Sequence, residues 1–214
     1  MNVIRLSIAT SLALALIVTP IAIAAQAQDA SAPSPVVKMA LPVSGIYQID
    51  PTHTQVRATW NHLGFSRPGA TFGHVEGTIT LDAVNPAKSS VSVQIPISGV
   101  DTGVPALDEH FRSADYFDAV KYPQVTFVSR SVNFTGLGTA FSVEGDLTIR
   151  GVTRPIVLQA TLNGAGMHPL ANAPAVGFSA TTQVKRSDFG INAFVPMVSD
   201  EIDLVITAEA TLAP

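Results

Sequence analysis

The 214-residue chain contains no cysteine, which excludes disulfide staples, thiol nucleophiles and cysteine metal sites. Its core alone must hold the fold. Charge is scarce: Asp, Glu, Lys and Arg make up 13% of the residues, and the formal net charge is -4. There is no basic run, which argues against a nucleic-acid partner and equally against an anionic membrane surface. The five histidines show neither HxH nor HExxH spacing, so a metal site is not expected. No serine sits in a GxSxG elbow, and no glycine-rich phosphate cradle occurs; Gly136-Leu137-Gly138 reads as a hairpin turn. Only one apolar stretch is long enough to span a bilayer, and it lies at the N-terminus.

That stretch reads as a secretory signal. Arg5 supplies the positive end and Leu6 to Ile23 the apolar run. Pro20 breaks the run just before small-residue cleavage sites at Ala22-Ile23-Ala24 and Ala25-Gln26-Ala27. The expected boundaries are a signal peptide over 1–27, a flexible leader over 28–44 and one domain over 45–214. Pro20 and the paired cleavage sites outweigh the competing reading, an uncleaved anchor. The body beyond the signal should then be soluble, with no stable membrane insertion. Cleavage removes only Arg5 among charged residues, so the body is slightly more acidic than the whole chain.

What is present, from Gly45 onward, is period two. Phe141, Val143, Gly145, Leu147 and Ile149 alternate with Ser142, Glu144, Asp146, Thr148 and Arg150, the mark of a strand with one dry and one wet face. Gly151-Val152-Thr153 is expected to turn the chain, and Ile156, Leu158, Ala160 and Leu162 continue the dry face. Further alternating runs start at Tyr47, Val56, Val75, Val91, Gln124, Val176 and Ile202, with a Gly/Pro/Ala-rich loop from Asn163 to Pro174. This gives eight or nine antiparallel strands. One segment, about 105–121, breaks the rhythm with Leu107, Phe111 and Ala114 at helical spacing, and Tyr122-Pro123 ends it. The fold class is all-β, either a sandwich or a closed barrel. Inward positions mix Trp60, Phe141 and Phe178 with Ala58, Gly77, Gly145, Ala180 and Ala208, which favours a cavity over a filled core.

Few residues offer chemistry. His62 continues the inward phase of Val56, Ala58 and Trp60, while His53 lies in a turn after Asp50 and His110 in the helical segment. Adjacent Asp108 and Glu109 point to different helix faces and cannot pair. The connection Arg186 to Asp200 carries Phe189, Ile191, Phe194, Val195 and Met197 within nine residues, too apolar for an open loop. It is either a plug at one barrel end or a lid over a ligand.

Four stretches in order, YQIDPTHTQVRATWNHLGFS (47–66), LDEHFRSADYFDAVKYPQVTF (107–127), VEGDLTIRGVT (143–153) and KRSDFG (185–190), resemble the YceI-like family of periplasmic polyisoprenoid-binding proteins. The resemblance implies a lipocalin-like antiparallel β-barrel of about eight strands with one short helix, located in the periplasm. It implies an isoprenoid or other long-chain lipid in the lumen, binding rather than catalysis, and no cofactor or metal. It carries over Asp50, His53, His62, His110, Ser113, Phe117, Arg186 and Phe189-Gly190. Two departures stand out: Leu107 stands where the family often has arginine, and Phe111 where leucine is usual. The expected ligand-binding set is Trp60, His62, Phe65, Phe111, Phe117, Phe178, Arg186, Phe189 and Phe194, and a homodimer is a further expectation. The competing readings are a periplasmic enzyme using His53, His62 and His110 for acid-base or metal chemistry, and a filled structural barrel.

Overall fold

The computed structural model describes residues 40–134 and 138–214. The expected signal peptide, most of the leader and part of the Gly136-Leu137-Gly138 turn lie outside them. Eleven strands form one antiparallel sheet: β1 (Gly45–Ile49), β2 (Gln55–Thr59), β3 (Gly69–Phe72), β4 (Glu76–Leu81), β5 (Ser90–Pro96), β6 (Val100–Asp101), β7 (Gln124–Phe134), β8 (Ala140–Ile149), β9 (Val152–Met167), β10 (Pro174–Lys185) and β11 (Glu201–Leu212). They are the pieces of eight staves. β11 pairs with β1 through Ala210–Leu212 and with β2 through Asp203–Thr207, so β1 and β2 follow one line along it. In the same way β4 pairs with β1 and β3 with β2, and β5 and β6 follow β4 and β3. Each stave then pairs with its neighbour in sequence, and β11 closes on β1. The result is a closed eight-stranded up-and-down barrel, and closure removes the exposed sheet edges that a sandwich would keep.

The alternation seen in the sequence positions these strands, with local corrections. β8 and β9 are joined by two residues only, Arg150 (φ 52°) and Gly151 (φ 71°), while Ile149 already faces Val152. Two successive positive φ values make the tight turn whose twist matches the strands, so Val152 and Thr153 belong to β9. β9 also runs on to Met167, which shortens the expected Asn163–Pro174 loop to its second half. The helix is shorter than expected: α1 covers Pro105–Arg112. Ser113 is extended, with its hydroxyl bonded to the His110 carbonyl, and a side chain that competes for the helix carbonyls ends the helix there. Residues 114–122 continue as turns. At its start, Asp108 accepts from Thr102 N–H and Oγ1, both at 2.7 Å, which holds its carboxyl below the usual range.

Candidate functional site

The inward faces enclose two adjoining apolar chambers. Chamber 1, about 480 Å³, lies between β4, β5, β7, β8, β9, β10 and β11 and is walled by Ile79, Val93, Phe127, Val143, Leu158 and Ile206 among others. Its mouth is rimmed by Leu41 and Pro42, Asp82, Ser89 and Thr139. Chamber 2, about 770 Å³, lies beneath α1 and the 186–200 connection. Val56, Ile95, Leu147 and Leu204, from four different strands, line both chambers and form the boundary between them.

Small inward residues create this space in part. Ala160, Ala180 and Ala208 line chamber 1 and Ala58 lines chamber 2. Gly145 does not: the Phe127 ring covers it, so that a Cβ there would come within 2.4 Å of Phe127 Cζ. Aromatic rings decorate both ends. Phe141 meets Phe178 edge-on at 6.0 Å beside chamber 1. At chamber 2, Phe111 of α1 stacks on Tyr116 at 5.2 Å and packs against Trp60 at 5.6 Å, while Phe117 meets Phe72 at 5.6 Å.

Of the nine residues expected to bind ligand, Trp60, His62, Phe111, Phe117, Arg186, Phe189 and Phe194 line chamber 2. Phe178 lines chamber 1. Phe65 lines neither and is 89% exposed. His62, on the inward phase of its strand, sits past the barrel rim and is exposed. Apart from Phe178, the expected set leaves out the wall of chamber 1. The signal for that wall is the alternating run that starts at Val91, which puts Val91, Val93 and Ile95 on one phase.

Arg186 lines the chamber, but its donors are committed elsewhere. It is 7% exposed and gives hydrogen bonds to four backbone carbonyls: Ser199 from Nε, Ile191 and Ala193 from Nη1, and Val198 from Nη2, at 2.7–3.1 Å. A guanidinium offers five N–H groups in a fixed fork, and here four of them hold one loop in shape. Asp200 anchors the same loop by accepting from Ser187 N–H and Oγ at 2.8 and 2.6 Å. Burial pushes that carboxyl up, but the two Ser187 bonds and the nearby Arg186 charge bring it below its usual range. The loop divides plug from lid: Phe189 and Ile191 are buried, whereas Phe194, Val195 and Met197 are exposed.

The three histidines of the enzyme reading are not brought together. His62 and His110 line chamber 2 without a hydrogen bond between them, and His53 lines neither chamber. His53 Nδ1 instead pairs with Asp50 Oδ2 at 2.7 Å in the exposed turn after β1. The Asp50 carboxyl, bonded to His53 and then to Thr52, is held down at about 2, and the His53 ring is raised by that same bond. Glu209 adds a third donor atom, all three lying within 4.8 Å of one another. Backbone bonds, Asp50 N–H to Glu209 O at 2.9 Å among them, tie this turn to β11, and the cluster reads as a lock on the turn.

The YceI-like domain model matches residues 47–210. Protein YceI of Escherichia coli O157:H7 is 41% identical over 169 residues, covering 78% of this chain and 87% of that protein. A crystallised YCEI protein of Campylobacter jejuni is 30% identical with a TM-score of 0.64, over 72% of this chain and 90% of its own. A polyisoprenoid binding domain from Saccharophagus degradans shares the fold at a TM-score of 0.60 and 14% identity, over 78% of this chain and 98% of its own. With a domain match that takes in all eight staves of the barrel and relatives at this level of identity, the chain belongs to the YceI-like family.

Proposed function

We propose that the protein is an exported, periplasmic lipid carrier that holds an isoprenoid-like chain, of polyprenyl or quinone type, along its lumen. The observation that carries this reading is the lining: two adjoining chambers whose walls are mostly apolar side chains, with polar ones in the minority. Such a channel suits a long apolar chain and repels water. Burial contributes about 0.8 kcal/mol per CH₂. Ten buried carbons therefore supply about 8 kcal/mol, micromolar affinity before the cost of ordering the chain. The polyisoprenoid-binding domain that shares this fold supports the choice of ligand class. In this reading the tail lies in chamber 1 and the polar end in chamber 2, where His62 and His110 supply ring nitrogens. In this reading Arg186 shapes the loop rather than gripping the head group, because four of its five N–H groups are used on loop carbonyls.

The test is direct. The protein is purified from its native compartment, extracted with organic solvent and analysed by mass spectrometry, and a stoichiometric isoprenoid lipid is expected. Protein that carries no lipid and takes none up would overturn the reading.

A further inference from the structure

Two loop tips at the chamber 2 end present apolar side chains to solvent. Leu63 and Phe65 project from the first, and Phe194, Val195 and Met197 from the second. The tips are fastened together: Leu63 N–H donates to Met197 O at 2.9 Å, and His62 bridges to Val198. Arg186 braces the second tip from within, through the Ala193 and Val198 carbonyls. Leu63 (φ 57°) and Phe194 (φ 62°) adopt the left-handed conformation that bulky residues rarely take, so the tips are held in place at a conformational cost.

Leu63, Phe194 and Met197 also line chamber 2, so the exposed patch and the lumen wall are one continuous apolar surface. Neither tip, 62–67 or 191–198, contains a carboxylate, and Arg67 is already paired with Asp203. We propose that the two tips form a docking surface for a lipid bilayer, dipping shallowly into one leaflet and opening chamber 2 to its interior. The choice of occupant rests on the lipid-carrier reading above: a long isoprenoid resides in the bilayer and has next to no solubility in water. A rim that is itself apolar keeps the chain dry as it crosses. A second copy seated on the same patch would instead close the mouth that the cargo must use. The hold is apolar, so it does not depend on anionic lipid and survives salt.

Phe65 separates docking from lumen binding, because it is exposed and lines neither chamber. The experiment is flotation with vesicles of phosphatidylethanolamine and phosphatidylglycerol containing no isoprenoid, at low and high salt. In parallel, farnesol binding is followed by the fluorescence of Trp60, the sole tryptophan and a chamber 2 residue. The parent protein is expected to float at both salt concentrations. Phe65→Asp is expected to lower vesicle partitioning roughly tenfold or more and to leave farnesol binding unchanged. A parent protein that does not float, or a variant that floats equally well, overturns the proposal. So does a dimer in light scattering that Phe65→Asp dissociates, which makes the patch a contact between copies. Flotation of the parent protein without farnesol binding supports docking while the lipid-carrier reading fails.

Discussion

The Phe127 ring of β7 lies over Gly145 of β8, the strand beside it, and occupies the place where a side chain at 145 would stand. Phe127 also faces chamber 1. One ring therefore covers a glycine on one side and walls chamber 1 on the other.

Gly145→Ala is expected to push that ring into the chamber. Inserting atoms into a filled contact costs about 1–3 kcal/mol, readable in urea unfolding. Pairing it with Phe127→Leu is expected to restore only the part of the loss due to the ring, because the Val128 carbonyl oxygen also stands 2.6 Å from that Cβ, and a double-mutant cycle measures the coupling directly.

Arg186→Met removes the donors that hold the 186–200 loop and leaves buried carbonyls unpaired. A loss of about 3 kcal/mol or more is expected in denaturant unfolding. Arg186→Lys is expected to recover only part of it, because an ammonium cannot match the fork that serves four carbonyls.

In chamber 1, Ala180→Phe adds a ring where Ala160 faces it across β9 and β10. The fold is expected to tolerate the change because the ring enters open space. Binding of a long polyprenol is expected to fall at least roughly tenfold in a fluorescence titration, on the lost contact area alone.

The Asp50–His53 pair carries a pH signature. The Asp50 carboxyl, depressed from 3.8 to about 2, contributes stability above 3.8 that is lost as pH falls through about 2. The His53 ring, raised above 6.5, contributes below 6.5 and loses that contribution as pH rises through its raised value. The pair is therefore fully effective between 3.8 and 6.5. Asp50→Asn is expected to return His53 to its ordinary range in an NMR titration and to narrow the stability difference from the parent outside that window.

Much of the barrel was legible because one dry face imposes period two, and Phe141 to Ile149 shows it without exception. β3 and β6 were not, because Gly69–Phe72 is only four residues with two small ones and Val100–Asp101 only two, too short for a period. Gly145 read as open space because the ring that fills it belongs to the neighbouring strand, beyond the reach of alternation along one strand. Arg186 read as a ligand contact because its partners are backbone carbonyls, which any sequence supplies and none announces. The chamber 2 aromatics were legible in part: Trp60 and Phe111 stood out, while Tyr116 and Phe72 depend on how the turns after α1 fold back.

The three broken staves interrupt at neighbouring places, after Ile49, after Phe72 and after Pro96, and Gly73 N–H still reaches Gly99 O at 3.3 Å across two of the gaps. The barrel wall thus carries a crease on one side, where the ladder has missing rungs, while β7 to β10 run unbroken opposite. Fewer ladder bonds cross the crease than cross β7 to β10, so amide protons at the breaks after Phe72 and Pro96 should exchange soonest among the strands, while the bonds from Asp50 and Thr54 to Glu209 protect the break after Ile49. In the proposed lipid-carrier reading, such a seam is where the wall would yield to a chain of greater girth, leaving the walls of β7 to β10 as they are.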